Sequence, residues 1–177
     1  MRRKKVEFKM KTSYYANLKR IDTKKYSPVA ISSDEGKMVG FEGRAMRNLS
    51  PYSFFRKWKA REIEIDKLWQ SKMLSEQEYL AFKEQNEDDY IEKFYNRVLK
   101  PLNPQDIYCQ LGENAVLLCF EKPTKFCHRF LVAGWLENSL GITIDELGFE
   151  QDIKVQQNKQ RLKDKLLLVI EENIEKE

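Results

Sequence analysis

Cys127, His128 and Arg129 stand in a row at the start of an apolar helical stretch, and His128 is the chain's only histidine. A thiol near a helix amino terminus and beside a guanidinium has its thiolate stabilised, with a pKa drawn below about 8.5. Cys127 is therefore a candidate nucleophile; the alternative is a small buried packing residue. His128 can act as a general acid or base oriented by Glu121 or Asp145, or can hydrogen-bond a carbonyl and fix the turn. Consecutive helical residues point about 100° apart, so His128 serves Cys127 as a base only where the turn between them is not yet helical. Arg129 offers a planar fork to a phosphate or carboxylate at the helix terminus. Its structural alternative is a salt bridge to Glu121 or Asp145, and anion binding is the preferred reading. Ser13, Tyr14 and Ser32 add hydroxyls from neighbouring strand ends, although Tyr14 or Tyr15 equally suits a core.

Several named chemistries are excluded by spacing. A zinc site would need Cys109, Cys119, Cys127 and His128 to converge, but the chain has no paired C-x2-C knuckles, and metal is set aside. Cys119 reads instead as a small hydrophobe inside a strand, and three cysteines do not make a disulfide framework. The C-x5-R pattern of protein phosphatases fails because Ala133 stands where arginine is needed. G-x-S-x-G, H-E-x-x-H, G-x-G-x-x-G and Walker patterns do not occur.

The elements that must position these residues follow from periodicity. Residues 116–120 are apolar on both alternating faces, as in a central parallel strand, and residues 126–138 read as the following helix. Earlier strands are expected at residues 6–11 and 27–32. Their following loops, 12–17 and 32–36, would join Glu121 and Cys127 at the carboxyl edge, where open α/β sheets bind ligands. Residues 36–48, with three glycines and three basic residues, read as a surface loop able to wrap an anion. Ser50 and Pro51 suit an N-cap and first helical position, with Leu49 and Phe54 as a staple, and Ser75 and Glu78 suit a capping box. Tyr90, Ile91, Phe94, Tyr95, Val98 and Leu99 form a core stripe ended by Pro101, and Asn103–Pro104 opens a helix that Gly112 closes. Residues 141–147 read as a further strand completing a β-α-β unit. Val155, Leu162, Leu166, Val169 and Ile170 mark a last helix expected on the sheet.

The expected class is α/β: a single three-layer Rossmann-like domain with a mostly parallel sheet over residues 1–149. A helical insertion occupies about 50–111, and an amphipathic helix at 150–177 packs on the same domain. No apolar run approaches the roughly 20 residues that span a bilayer, and the basic start lacks a long apolar segment, so a cytoplasmic protein without membrane attachment is expected. Residues 1–61 carry 17 Lys/Arg and 5 Asp/Glu (+12), and residues 62–177 carry 15 and 23 (−8), for a net +4. A basic face would favour a phosphate-bearing small molecule or nucleic acid as partner. Mutual neutralisation of the halves is the plainer reading, because no nucleic-acid-binding signature accompanies the charge.

Leu117-Leu-Cys-Phe-Glu121, then Phe126-Cys-His-Arg129 and the run Leu131, Val132, Ala133, Trp135, Leu136, resembles the family catalogued as "domain of unknown function 488". Residues 12–18, Val29 to Ser32, Leu49 to Pro51, Tyr90, Tyr95 and Leu99 extend the resemblance over residues 6 to about 147. It implies a cytoplasmic, prokaryotic or phage-borne α/β protein whose biochemical role is not generally established and whose cofactor is unknown. The chain departs from that pattern after the second strand, where relatives often carry a proline and a tryptophan. Two functions are expected. One is an enzyme acting on a nucleotide, nucleic-acid end or phosphorylated metabolite, with Cys127, His128 and Glu121 as catalytic candidates and Arg129, Ser13, Tyr14 and Ser32 holding the anion. The other is a non-catalytic nucleotide- or nucleic-acid-binding module using Arg44 and Arg47.

Overall fold

The computed structural model describes residues 9–52 and 54–176. Its centre is a five-stranded, all-parallel sheet: β1 (Lys11–Tyr14), β2 (Ser27–Ala30), β3 (Arg44–Ala45), β4 (Ala115–Cys119) and β5 (Asp145–Glu146), in the order β3-β2-β4-β1-β5. β4 is central because both its faces are apolar, and every residue of it is buried. Its alternating side chains divide the core. Ala115, Leu117 and Cys119 join the large cluster on one face, while Val116 and Leu118 join a smaller one with Tyr15, Ile21 and Ala30. A 3-10 helix at Tyr15–Arg20 lies on the smaller side, so helical layers cover both faces of a three-layer α/β fold.

Between β3 and β4 run α1 (Phe54–Gln70), α2 (Glu76–Phe94) and α3 (Pro104–Leu111). Ser75 and Glu78 form the expected capping box at α2, which satisfies two amide donors at the helix start. The stripe of Tyr90, Ile91, Phe94, Val98 and Leu99 is buried, running through a π-helical turn at Tyr95–Leu99. Asn103 caps α3 with Pro104 in its first turn, and Gly112 follows it at φ +88°.

After β4 comes α4 (His128–Leu140), whose residues 128–137 are all buried. A helix that is apolar all round needs cover on both sides. The sheet supplies one. The other is α5 (Ile153–Ile174), which packs on α4 and α2 rather than on the sheet. Gly134 makes that approach possible: a Cβ there would lie 3.2 Å from the Lys163 side chain. Buried Glu137 adds a polar tie, accepting from Lys159 Nζ at 2.7 Å, Lys163 Nζ at 3.0 Å and the Ile144 amide at 2.8 Å.

Local expectations are corrected at four places. The first described strand begins at Lys11, so Ser13 and Tyr14 belong to the strand rather than to a loop after it; residues 6–8 of the expected strand lie outside the described residues. The glycine-rich segment 36–48 contains β3, two residues held by the ladder to Val29 and Ala30. Ser50 is not an N-cap, because α1 starts at Phe54 and Ser50 instead closes a 3-10 turn at Arg47–Leu49. Of residues 141–147 only Asp145 and Glu146 enter the ladder, beside β1. Among the described residues no helix is long and apolar enough to cross a membrane.

Candidate functional site

Parallel strands bring Tyr14, Ala30 and Cys119 to one edge of the sheet, with Tyr14 opposite Cys119 in register. Cys119 is the last residue of β4 and shares the α4-facing side of the sheet with Leu117. Cys127 precedes α4 in an extended conformation (φ −157°, ψ 137°), so the helical 100° separation from His128 does not apply. Both side chains point to the same place. Cys119 Sγ, Cys127 Sγ and a ring nitrogen of His128 all lie within 4.8 Å of one another, and all three residues are buried.

His128 Nε2 lies 2.9 Å from the Ile31 carbonyl oxygen. A carbonyl can only accept, so Nε2 carries the proton, and in the neutral ring Nδ1 presents a lone pair to Cys119 Sγ at 3.6 Å. The carbonyl-bonding alternative for His128 is therefore what the fold uses; neither Glu121 nor Asp145 orients it, and Asp145 pairs with Lys11 at 3.1 Å. The two neighbouring thiols divide their acidities. For Cys127, burial opposes ionisation, but the bond from Cys119, the Arg129 charge and His128 outweigh it and hold the thiol well below its ordinary range. The bond to Cys127, reinforced by burial, pushes Cys119 well above it.

Arg129 lies on the far side of that turn and is fully buried. Its Nε and Nη2 donate to the two Glu146 carboxylate oxygens at 3.1 Å each, and its Nη1 to the Glu121 carbonyl at 2.7 Å. Thr12 Oγ1 adds a bond to Glu146 at 2.6 Å. This closed pair corrects the anion-binding reading of Arg129. The partner is the Glu146 carboxylate; Glu121 contributes only its backbone oxygen, and the residue also lines the adjoining cleft. Ser13 is likewise turned inward, its Oγ accepting from Asn17 Nδ2 at 3.1 Å, and Tyr14 packs near Phe149 and over Arg129.

The cluster forms the floor of a cleft of about 390 Å³. Its walls are Phe55, Trp58, Tyr90, Phe120 and Phe126, with Met38 and Pro51, and its polar rim is Ser32, Ser33, Asp34, Arg56 and Glu121. Trp58, Tyr90 and Phe126 brace one another, with ring centroids 4.9–5.4 Å apart. Ser32 bonds Tyr15 Oη at 2.7 Å and Asp34 at 2.8 Å, which fixes the loop after β2. Gly36 (φ +78°) allows that loop to close, since a Cβ would lie 2.8 Å from Tyr15 and Phe41. Arg44 is engaged elsewhere, donating to the Gln110 and Leu111 carbonyls, and Arg47 pairs with Glu35 at 2.8 Å.

Sequence reasoning missed Cys119 and the aromatic wall. Cys119 is legible only through its parity with Leu117 and its place at the end of β4. Trp58 and Tyr90 arrive from a helical pair some thirty residues and more from the Cys-His-Arg turn. No protein family, curated protein or solved structure matches the chain.

Proposed function

We propose that the protein is an enzyme acting on a nucleotide or similar phosphate-bearing molecule bound in this cleft, with Cys127 and His128, joined by Cys119, as its reacting centre. The observation that carries this reading is the convergence of two thiols and one imidazole on the floor of an aromatic cleft at the carboxyl edge of a parallel sheet. Aromatic walls suit a base or other flat ring. Arg56, rather than Arg129, is the cation at the cleft, with Glu121 at its rim as an acid or base. We also propose that the chain is a relative of the family that its Cys-His-Arg run resembles.

The test is a thermal-shift screen of nucleotides and phosphorylated metabolites, followed by product analysis on any that bind. The reading expects one ligand class to raise the melting temperature, and its turnover to vanish in Cys127→Ala. Turnover that survives both Cys127→Ala and His128→Ala would overturn it.

A second reading, a non-catalytic nucleic-acid-binding module, is favoured by a different feature. Lys57, Arg61, Lys93 and Arg97 line one groove of about 210 Å³ between α1 and α2, with Asp89 as its single acidic side chain. Four cations there would bind a phosphate backbone in a salt-sensitive way, and Lys93→Glu with Arg97→Glu would weaken binding of a single-stranded oligonucleotide uniformly across sequences. Binding unchanged in that double variant removes this reading.

A further inference from the structure

We propose that Cys119, Cys127 and His128 together bind one zinc(II) ion, with the fourth coordination position open to the cleft. The proposal rests on the reading of the cleft as a reacting site and gives that site its chemistry.

Three features of the geometry carry it. The donor set is two sulfurs and one imidazole nitrogen, soft and borderline ligands that select zinc over oxygen-seeking magnesium or calcium. The spacing fits as well. Zinc–sulfur and zinc–nitrogen bonds of about 2.3 and 2.1 Å at a tetrahedral angle place sulfur and nitrogen about 3.6 Å apart. Cys119 Sγ and His128 Nδ1 are already at that spacing, 3.6 Å apart, and the other separations, none above 4.8 Å, need close by no more than about 1 Å for tetrahedral binding. Finally, His128 is already arranged as a ligand: its Nε2 proton is held by the Ile31 carbonyl, which fixes the ring and leaves Nδ1 as the atom facing the sulfurs.

Three protein ligands with an open position are the pattern of catalytic rather than structural zinc. A metal so placed acts as a Lewis acid on a carbonyl or phosphoryl oxygen of the bound molecule. Cys109 takes no part: it is exposed on α3. The missing C-x2-C spacing is explained by the fold, because one ligand ends a strand and the other two begin the helix that follows it.

The full chain, reduced and freed of metal by chelation, would be titrated with cobalt(II) as a spectroscopic stand-in and then with zinc. One equivalent should produce thiolate-to-cobalt charge-transfer absorption that zinc displaces. Cys119→Ser, Cys127→Ser and His128→Gln should each weaken zinc binding by more than the roughly 10–100-fold that loss of a partner behind a ligand costs. Cys109→Ser should change nothing. Because a ligand variant can fail to fold, the wild-type chain is also weighed intact by native mass spectrometry, where one zinc less two protons is expected. Absence of charge transfer at stoichiometric cobalt in folded wild type would overturn the proposal, as would charge transfer undiminished in folded Cys127→Ser. A mass two hydrogens below the reduced chain would assign the sulfurs to a disulfide and overturn it too. The enzyme reading fails separately, by metal-loaded protein that binds and turns over no member of the nucleotide and metabolite panel.

Discussion

His128 and Arg129 are consecutive residues on the first turn of α4, both buried, yet they face environments with opposite logic. On the His128 side, two thiols and a lone pair converge beneath a cleft large enough for a ligand. On the Arg129 side, a guanidinium, a carboxylate, a threonine hydroxyl and a carbonyl satisfy one another, with all three side chains fully buried. The open side has reactive groups in excess of its internal partners; the closed side has every charge answered. Proximity in sequence to a reactive residue therefore says little about role, because a single helical step moves a side chain from one wall of the helix to another.

The largest effect expected from breaking this comparison is on the closed side. Arg129→Met leaves the Glu146 carboxylate buried without its cation and should cost about 3–5 kcal/mol of stability in chemical denaturation. If the comparison holds, the double variant Arg129→Met with Glu146→Leu recovers most of that loss. On the open side, Cys127→Ala should cost only on the order of 1 kcal/mol while abolishing ligand turnover. A Cys127→Ala loss as large as that of Arg129→Met would place Cys127 in the scaffold.

Next in size is the tie that holds α4 against α5. Glu137→Gln weakens the bonds from Lys159 and Lys163 and should cost about 1–3 kcal/mol without altering ligand binding. The smallest effect concerns Asp34 at the cleft rim. Burial raises its carboxyl, but bonds from the Met38 amide, Ser32 hydroxyl and Gly36 amide outweigh that and hold its pKa below the ordinary value. A depressed folded pKa means stability that is present above the unfolded pKa of about 3.9 and lost as pH falls through the folded one. The advantage of wild type over Asp34→Asn should therefore shrink below about pH 4. Solvent screening keeps it under about 1 kcal/mol.

Much of the frame was legible in the chain because it rests on local rules. The double-faced apolar run of β4, the Ser75–Glu78 box and Asn103 before Pro104 each specify structure within a few residues. β3 was not legible: Arg44 and Ala45 are exposed and owe their strand to pairing with β2 alone. The Arg129–Glu146 pair was not legible either, because Glu146 reaches Arg129 only through the register of β5 on β1, which sets Thr12 opposite Glu146. In sequence Cys119 is indistinguishable from a small hydrophobe, since its neighbours in β4 are hydrophobes. Cys127 is legible as a reactive candidate, but its meeting with Cys119 follows only from the packing of β4 against α4.

The claim that the open side is the working site is tested most directly by labelling the three cysteines of the reduced, metal-free folded protein with a small alkylating reagent, with and without the nucleotide and metabolite panel. Mass spectrometry would locate each modification, with exposed Cys109 as the internal reference. The account predicts that Cys127 is modified without unfolding and that one ligand class slows its modification while leaving Cys109 unaffected. Modification of Cys127 only at the rate of global unfolding, with no ligand changing it, would contradict the account and return Cys127 to the core.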